Sequence, residues 1–327
     1  MAVDPAALIA RYNRLEARAA PYREHCQEIA EYLVPDKSII TRLGGVEGER
    51  RMDRIFDSTG PEALGLLTAT MMSALTPSTM RWFGLKSRDE ALNDQWEAQQ
   101  WLQACEERIR LAIGQSNFYS EKFSADQDKI AFGTSAMLIE ERPKPSRGVP
   151  FGGLMFRTLP LGEYVIEEAA DGTVDTLFRC YQMSARAVAQ QFGESRVSDS
   201  VLGLVAQKPD ERVTIIQGVY PRQIDILRRD TQGMAWANCY LEKQTSHVLL
   251  ESGYPEFPYT VPRWEKLTGE TYGRGQGMRA LPDLKTLNKA DELTLEGWAL
   301  AIRPPRMAME DGIIGDLDLT PDGLTMG

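Results

Sequence analysis

Apolar side chains recur at helical spacing from residue 5 to residue 34, and this pattern predicts a long helix. Pro21 lies inside the pattern, and we expect it to end or kink the helix because proline lacks a backbone N–H. Pro35 is expected to stop the helix, and the glycine-, arginine- and aspartate-rich residues 36–58 predict an exposed loop. The apolar positions of the pattern are Leu8, Ile9, Tyr12, Leu15, Ile29, Tyr32 and Leu33.

A second helix is predicted to begin at Ser58, a capping residue with Pro61 behind it, and to end at Pro77. Because its residues are apolar on most sides, we expect it to be buried. The proline- and glycine-rich residues 143–150 form the clearest internal boundary. Between these points the pattern predicts a short strand over 82–85, helices over 91–116 and 117–132, the latter capped by Ser116 and Asn117, and a buried strand over 134–141.

Beyond that boundary the pattern changes to strands. Asp171 and Gly172 separate two of them and predict a hairpin. Short gaps between the strands favour antiparallel pairing over a doubly wound parallel sheet, and a final helix over 281–302 extends about 30 Å. The sequence therefore predicts an α+β fold. The strands are predicted over 164–169, 174–181, 213–219, 234–241, 246–250 and 259–264, with a short helix over 184–192.

Composition is that of a globular chain. Of its 327 residues, 43% are hydrophobic and 26% are charged, and no apolar run approaches the roughly 18 residues that span a bilayer. The N-terminus lacks the basic and apolar regions of a signal peptide, so we expect the protein to be made and used in a cytoplasm. The net charge of −10 is opposite to that of a protein that grips nucleic-acid phosphates.

Cysteines and histidines offer little for metal or nucleophilic chemistry. The four cysteines lie far apart without the spacing of paired ligands, and we expect reduced, structural thiols. His25 and His247 are the only histidines, which leaves little for a zinc site or a histidine-based catalytic centre. The cysteines are Cys26, Cys105, Cys180 and Cys239.

The segment 269–277 carries the most suggestive pattern, because glycines at 269, 273, 275 and 277 lead into the final helix. A nucleotide-binding loop is one interpretation. Against it, the spacing is Gly-x-Gly-x-Gly rather than Gly-x-Gly-x-x-Gly, no Gly-Lys-Ser/Thr follows, and the preceding strands are antiparallel. The other interpretation is mechanical: Gly269, Gly273, Gly275 and Gly277 form a tight structural joint, with Arg274 and Arg279 paired to acids such as Glu270 or Asp283.

Other candidate chemistry is sparse. On a strand, adjacent acids point to opposite faces, so Glu140 with Glu141 and Glu167 with Glu168 are not expected to act as a dyad. Asp311, Asp316 and Asp318 could hold a hard cation, but their spacing departs from the calcium-loop pattern and favours a turn-rich acidic loop. Asp291 and Glu292 are a further pair of adjacent acids, and Ser58, Ser73 and Ser135 show no histidine partner. We therefore expect no catalytic residues, cofactor or metal.

Four segments, in order, resemble those of portal proteins, the head-to-tail connectors of short-tailed bacteriophages. The helical segment 11–35 resembles the N-terminal helix of that family, and residues 57–60 running into 66–83 also resemble the family. Residues 133–140 are similar to a buried strand at the same place, and 262–288 resembles the joint before a long helix. Together these segments are spread, in the same order, across nearly the whole chain.

The resemblance implies a structural protein of the virion rather than an enzyme. Portal proteins form a ring, usually a dodecamer, at one capsid vertex, through which double-stranded DNA passes without sequence recognition during packaging and ejection. The implied partners are further copies of the chain, the major capsid protein, the terminase large subunit, and the tail adaptor or nozzle proteins, with no membrane. The alternatives left open are a nucleotide-binding enzyme that uses 269–277 and another phage structural protein such as a tail adaptor.

The resemblance also divides the chain. It implies a helical part of the wing over 1–142, a β-rich part of the wing over 143–268, a glycine joint with a stem-type helix over 269–303, and the start of a clip-like region over 304–327. Portals of this type continue with a returning helix, a channel loop and a C-terminal helical region. Because the sequence stops at Gly327 inside a predicted turn, we expect the natural chain to continue.

Overall fold

The structure is a computed structural model that describes residues 4–42, 44, 49, 51–52, 55–144, 151–223, 230–308 and 319–326. Its helices are α1 (Pro5–Leu33), α2 (Thr59–Leu75), α3 (Glu90–Asn93), α4 (Trp96–Gly114), α5 (Phe118–Phe132), α6 (Ala185–Phe192), α7 (Asp199–Gln207) and α8 (Gln276–Ile302). Its strands are β1 (Met137–Glu141), β2 (Leu154–Thr158), β3 (Tyr164–Glu168), β4 (Val174–Ser184), β5 (Arg212–Pro221), β6 (Trp236–Glu242), β7 (Val248–Tyr254), β8 (Tyr259–Thr260), β9 (Arg306–Ala308) and β10 (Leu324–Met326). This combination confirms the predicted α+β class.

The strands form three sheets. The largest is an antiparallel meander in the order β3-β4-β5-β6-β7, and a second antiparallel sheet has the order β2-β1-β8. The short pair β9 and β10 is parallel. The predicted hairpin is present between β3 and β4, where Gly172 has a φ of +81° and the Asp171 carboxylate accepts hydrogen bonds from Thr173. Antiparallel pairing is therefore confirmed for both larger sheets.

Helix α1 joins the two halves of the core. Its N-terminal half packs Tyr12 and Leu15 against Phe178 and other apolar residues of the large sheet. Its C-terminal half packs Ile29 into a second cluster with α5, α8 and the three-stranded sheet. The helix begins at Asp4, whose carboxylate accepts hydrogen bonds from the first backbone N–H groups.

Two prolines lie inside helices without interrupting them. Pro21 lies inside the continuous helix α1, and Pro282 lies inside α8, which begins at Gln276 rather than at 281. Both prolines are exposed. The carbonyl of Ala17, which loses its helical partner at Pro21, also lies on an exposed residue, where water can satisfy it. The prediction that the helix could end at Pro21 is therefore wrong.

The expectation that α2 is buried is also wrong. The helix packs against α5 and α1 along one edge, which buries Gly60, Leu64 and Thr68. Leu66 is 71% exposed and Leu75 is 59% exposed. The apolar composition was correctly recognised, but the described part of the chain leaves most of the helix surface uncovered.

Two local predictions fail for related reasons. Residues 82–85 are irregular rather than a strand. The indole ring of Trp82 stacks on the ring of Phe118, with centroids 6.0 Å apart. Ser58 precedes α2, but its hydroxyl donates to Glu62 rather than accepting from the helix backbone. In both places side-chain contacts replace the backbone pattern that the sequence suggested.

The buried acid Asp128 predicts a dependence of stability on pH. Burial raises the pKa of Asp128, and the Lys37 ammonium, 2.6 Å from its carboxylate, opposes this only in part. A raised pKa in the folded state gives stability that is present below the unfolded pKa and is lost as pH rises through the folded pKa. We therefore expect Asp128→Asn, which cannot ionise, to gain stability relative to the wild type as pH rises from 4 to 7, as measured by urea unfolding.

Asp171→Asn provides a control of opposite sign. Hydrogen bonds from Thr173 hold the pKa of Asp171 below its ordinary value, so its contribution is present above the unfolded pKa and is lost as pH falls. The wild type should therefore become more stable relative to Asp171→Asn as pH rises. Parallel pH curves for Asp128→Asn and the wild type would contradict the assignment.

Candidate functional site at the glycine joint

The glycine joint, residues 269–277, carries the chain from the strand region into α8 and crosses the C-terminal end of α5. Its partner there is Gly133, which follows α5 in a left-handed conformation with φ of +91°. Two backbones meet at this crossing with no side chain between them.

The distances show why the crossing requires glycine. A Cβ on Gly273 would lie 2.4 Å from the Gly133 oxygen, and one on Gly275 would lie 2.5 Å from the Gly133 nitrogen. A Cβ on Gly277 would lie 2.4 Å from the Ala131 oxygen. Contacts this short to backbone atoms cannot be relieved by rotating a side chain, so any larger residue must move the main chain.

Hydrogen bonds fix the crossing in place. The Gly273 N–H donates to the Thr134 hydroxyl at 2.8 Å, in a buried position. The Trp264 N–H donates to the Gly133 oxygen at 2.8 Å, and the Arg274 N–H donates to the Glu265 oxygen at 2.7 Å. The joint is thus tied to the end of α5 and to the segment that precedes the joint.

Gly269 differs from the other three glycines. Its φ is +87°, and a Cβ at this position would meet nothing within 4 Å. Its requirement is conformational, because residues with a side chain adopt this backbone region at a cost. The four glycines of the predicted joint therefore serve two physical purposes, a turn at 269 and a close approach at the other three.

The two arginines of the joint are paired at the surface. Arg274 donates to Glu270 at 2.6 Å, and this hydrogen-bonded guanidinium holds the pKa of Glu270 below its ordinary value. Arg279 pairs with Glu265 rather than with Asp283. Both pairs are solvated, and such pairs contribute little to stability.

We expect Arg274→Ala to change the free energy of unfolding by no more than about 0.5 kcal/mol, because its pair with Glu270 is solvated. Urea unfolding of the purified variant provides the measurement. A loss of several kcal/mol would show that the side chain, rather than the backbone beside it, holds the joint.

A cleft of about 360 Å³ lies between the joint and α1. Tyr22 and Tyr272 stack in its wall with ring centroids 4.4 Å apart, and the Tyr22 hydroxyl donates to the Phe132 oxygen. Arg18 and His25 line the α1 side. The aromatic pair joins α1, α5 and the joint, so this wall of the cleft is also part of the packing.

The nucleotide-binding alternative is not supported by this geometry. Gly275 and Gly277 lie against the backbone at the end of α5, and the Gly273 N–H is already used by Thr134. A phosphate-binding loop instead presents free backbone N–H groups to an open space. The adjoining sheets are antiparallel and offer no topological switch point.

Most of the remaining candidates have structural partners. Glu167 binds Arg11, and its neighbour Glu168 binds Arg263 from another direction, as expected for adjacent strand residues. Glu140 accepts from the Tyr254 hydroxyl, while Glu141 accepts from the Gly152 N–H. The other acids and serines lie apart from one another. Glu292 pairs with Lys289, and Asp291 is half-buried on α8. Ser73 donates to the Thr70 oxygen, and the Ser135 hydroxyl is buried without a hydrogen-bond partner among the described residues.

The thiols are free, as predicted, and burial raises the pKa of Cys26 to about 12. Within the described ranges, no group of three histidine, cysteine or acidic side chains converges as metal ligands. The cation candidates Asp311, Asp316 and Asp318 lie outside the described residues. No helix in the described part of the chain is both long enough and apolar enough to cross a bilayer.

Two features of the site were missed by the sequence analysis. Gly133 was not recognised as the partner of the joint, although a glycine directly after a helix is a common C-terminal signal. The exposure of large apolar side chains on α2, α4 and α8 was also missed, with Leu66 at 71%, Trp101 at 66% and Trp298 at 62%. Apolar surface on this scale is typical of a protein that associates with others.

Comparison with known proteins gives a consistent result. The profile of the family described as "Bacteriophage head to tail connecting protein" matches residues 6–326. The chain is 28% identical over 324 residues to the "Probable portal protein" of Bordetella phage BPP-1. The aligned region covers 97% of this chain and 57% of that protein. It is 27% identical over 307 residues to the "Portal protein" of Salmonella phage epsilon15, and this alignment covers 92% of this chain and 54% of that protein. The chain thus spans little more than half the length of these relatives.

Proposed function

Because the chain belongs to the family of bacteriophage head to tail connecting proteins, we propose that it is the body of a portal, a structural ring at one vertex of a phage capsid. The ring admits the genome during packaging and releases it at infection. The chain contributes shape and contacts rather than catalysis. The observation that carries this proposal is the family match, which runs from residue 6 to residue 326.

Exposed apolar surface supports assembly into a ring. Large apolar side chains of α2, α4 and α8 lie open to solvent in the single chain. Their burial between identical copies would remove this surface from water, at about 25 cal/mol for each Å². A ring requires head-to-tail contacts, in which two different faces of each copy meet. We propose a dodecamer, as the resemblance implies.

The acidic balance of the chain suits a conduit. DNA that slides must not be held by clusters of basic groups, since these give strong binding that does not depend on sequence. With a net charge of −10 per chain, the ring keeps the phosphate backbone at a distance. We expect the channel of the assembled ring to carry a net negative charge. A surface electrostatic potential that is continuously positive along the channel of that ring would contradict this.

The proposal assigns partners and regions. Further copies, the major capsid protein, the terminase large subunit, tail adaptor or nozzle proteins and double-stranded DNA would contact the ring in the virion, after synthesis in the host cytoplasm. Residues 1–142 and 143–268 would form the wing, 269–303 the joint and the stem-type helix, and 304–327 the start of the clip. The glycine joint would then set the direction in which the stem leaves the wing.

Mass measurement and negative-stain imaging of the purified protein test the proposal together. The expected result is a closed ring of many copies with a central opening wide enough for duplex DNA. Duplex DNA should bind it weakly, and titration with ATP in a calorimeter should give no saturable heat. A monomer that binds ATP with a defined stoichiometry would replace the portal by the nucleotide-binding alternative.

A further inference from the structure

The cleft between α1 and the glycine joint has an apolar floor. Leu15 and Ile166, which are 5% and 3% exposed, line its buried part, and Met278 lines it from α8. Its volume of about 360 Å³ lies at the lower end of the range of roughly 300–1,000 Å³ for sites that bind small molecules. The packing of the body therefore leaves a recess that an apolar group of modest size can fill.

The aromatic wall of the cleft offers carbon rather than polar atoms. The Tyr22 hydroxyl donates to the Phe132 oxygen at 2.8 Å, and the Tyr272 hydroxyl accepts from the Ile166 N–H at 3.3 Å. The two rings stack on each other with centroids 4.4 Å apart, so no planar group can enter between them. A ligand of this cleft therefore meets the tyrosines by their carbon edges.

Charged groups border the apolar floor on two sides. Arg18, Tyr22 and His25 lie on one face of α1 at helical spacing, and all three line the cleft. Glu270 and Arg274 line it from the joint, where they neutralise one another as an ion pair of 2.6 Å. Arg18 forms neither an ion pair nor a hydrogen bond with any other described residue. The border therefore presents one guanidinium that no described carboxylate neutralises.

We propose that this cleft binds a single carboxylate attached to an apolar group. The Arg18 guanidinium donates two parallel N–H groups to the two carboxylate oxygens, the geometry in which such pairs are strongest. The apolar group lies on Leu15, Ile166 and Met278, and the His25 imidazole offers one further N–H. This ligand site goes beyond the proposed ring, because it does not depend on the assembly of several copies.

The charge at the border of the cleft selects a ligand with one negative charge. Arg18 supplies one positive charge, while Arg274 is already paired with Glu270. The Glu270 carboxylate repels further anionic groups, and a triphosphate is therefore disfavoured. The chain as a whole carries a net charge of −10 and does not attract anions from a distance. Binding of an anion here would be due to the groups of the cleft itself.

Two sources offer this chemistry, a free apolar acid and a hydrophobic residue at the C-terminal end of a polypeptide. Isocaproate represents the first source, and the peptide acetyl-Gly-Gly-Leu with a free carboxylate represents the second. The same peptide as its C-terminal amide lacks the carboxylate, and acetyl-Gly-Gly-Gly lacks the apolar group. Calorimetric titration of the purified protein with each of these four probes measures binding.

The expected result is saturable binding of isocaproate, of the free leucine peptide, or of both, with one site per chain. Tighter binding of the peptide would identify a chain end as the source, and tighter binding of isocaproate would identify a free acid. The amide and the glycine peptide should each bind at least about tenfold more weakly, because each lacks one half of the recognised chemistry.

Variants of the border locate the site. Arg18→Ala should weaken binding of the better probe at least about tenfold, because it removes the guanidinium that pairs with the carboxylate. Glu270→Gln should strengthen binding, because it removes a negative charge and frees Arg274. Arg14→Ala is the matched control and should change binding by less than about twofold, because exposed charges that do not touch the ligand are screened by salt. Arg14 is exposed one turn earlier on α1 and does not line the cleft.

Other outcomes overturn the proposed ligand site and leave the proposed ring intact. Equal losses in Arg14→Ala and Arg18→Ala would show that the probe responds to the charge of α1 rather than to the cleft. An absence of saturable binding for all four probes would show that the cleft takes no such ligand. An amide that binds as tightly as the free peptide would show that the carboxylate is not recognised.

Discussion

Gly275→Ala is expected to destabilise the protein by about 3 kcal/mol or more, because the added methyl group would overlap backbone atoms. Its Cβ would lie 2.5 Å from the Gly133 nitrogen and 2.6 Å from the oxygens of Ala131 and Ile130. These atoms belong to the end of α5 and the turn after it, and they cannot move without shifting the helix. Urea unfolding followed by circular dichroism measures the loss.

Gly203→Ala provides the matched control. Gly203 lies in the middle of α7 on an exposed face, and a Cβ there meets nothing within 4 Å. The same substitution should therefore stabilise the protein by up to about 1 kcal/mol, the difference in helix propensity between glycine and alanine. Equal effects at the two positions would show that the two backbones do not cross as closely as the structure has them.

The second large effect is expected at the contact between α1 and the large sheet. Phe178→Ala should cost about 3–5 kcal/mol, the usual loss for a phenylalanine removed from a packed core. Phe178 is fully buried in β4, with its ring 6.4 Å from that of Tyr12 and 6.2 Å from that of Tyr220. Thermal and urea unfolding of the variant provide the measurement.

Phe178→Leu separates lost volume from lost apolar character. It keeps an apolar side chain and should cost less than alanine, because a smaller cavity remains. The neighbouring Gly218 leaves room for the ring, since a Cβ at Gly218 would lie 2.6 Å from Phe178 Cε1. An alanine variant as stable as the wild type would mean that α1 is held to the sheet by its other contacts.

Regular patterns allowed most of the fold to be predicted. The period of the apolar residues located α1, α5 and the meander, and Asp171 with Gly172 located the hairpin, because these signals are local. β2 and α7 were missed, since each is short and lies next to a segment rich in turn residues. Local spacing carries little information about such elements.

The glycine cluster shows where sequence reasoning ends. The sequence located glycines 269, 273, 275 and 277 and excluded a known nucleotide motif, but it could not identify Gly133, more than a hundred residues earlier, as their partner. Proximity of that kind depends on how α5 and α8 pack. The exposure of α2 depends likewise on tertiary packing, because an apolar helix that the described residues leave mostly uncovered has the same composition as a buried one.

The backbone crossing at Gly133 also bears on how force passes through the molecule. Side chains can change rotamer to absorb a small tilt, whereas two main chains in direct contact have no such freedom. A sideways push on the far end of α8 would therefore be delivered, with little loss, to α5 and on to the strand that follows it. Helix α8 would therefore act on the body of the chain as a rigid arm that turns about the crossing at Gly133.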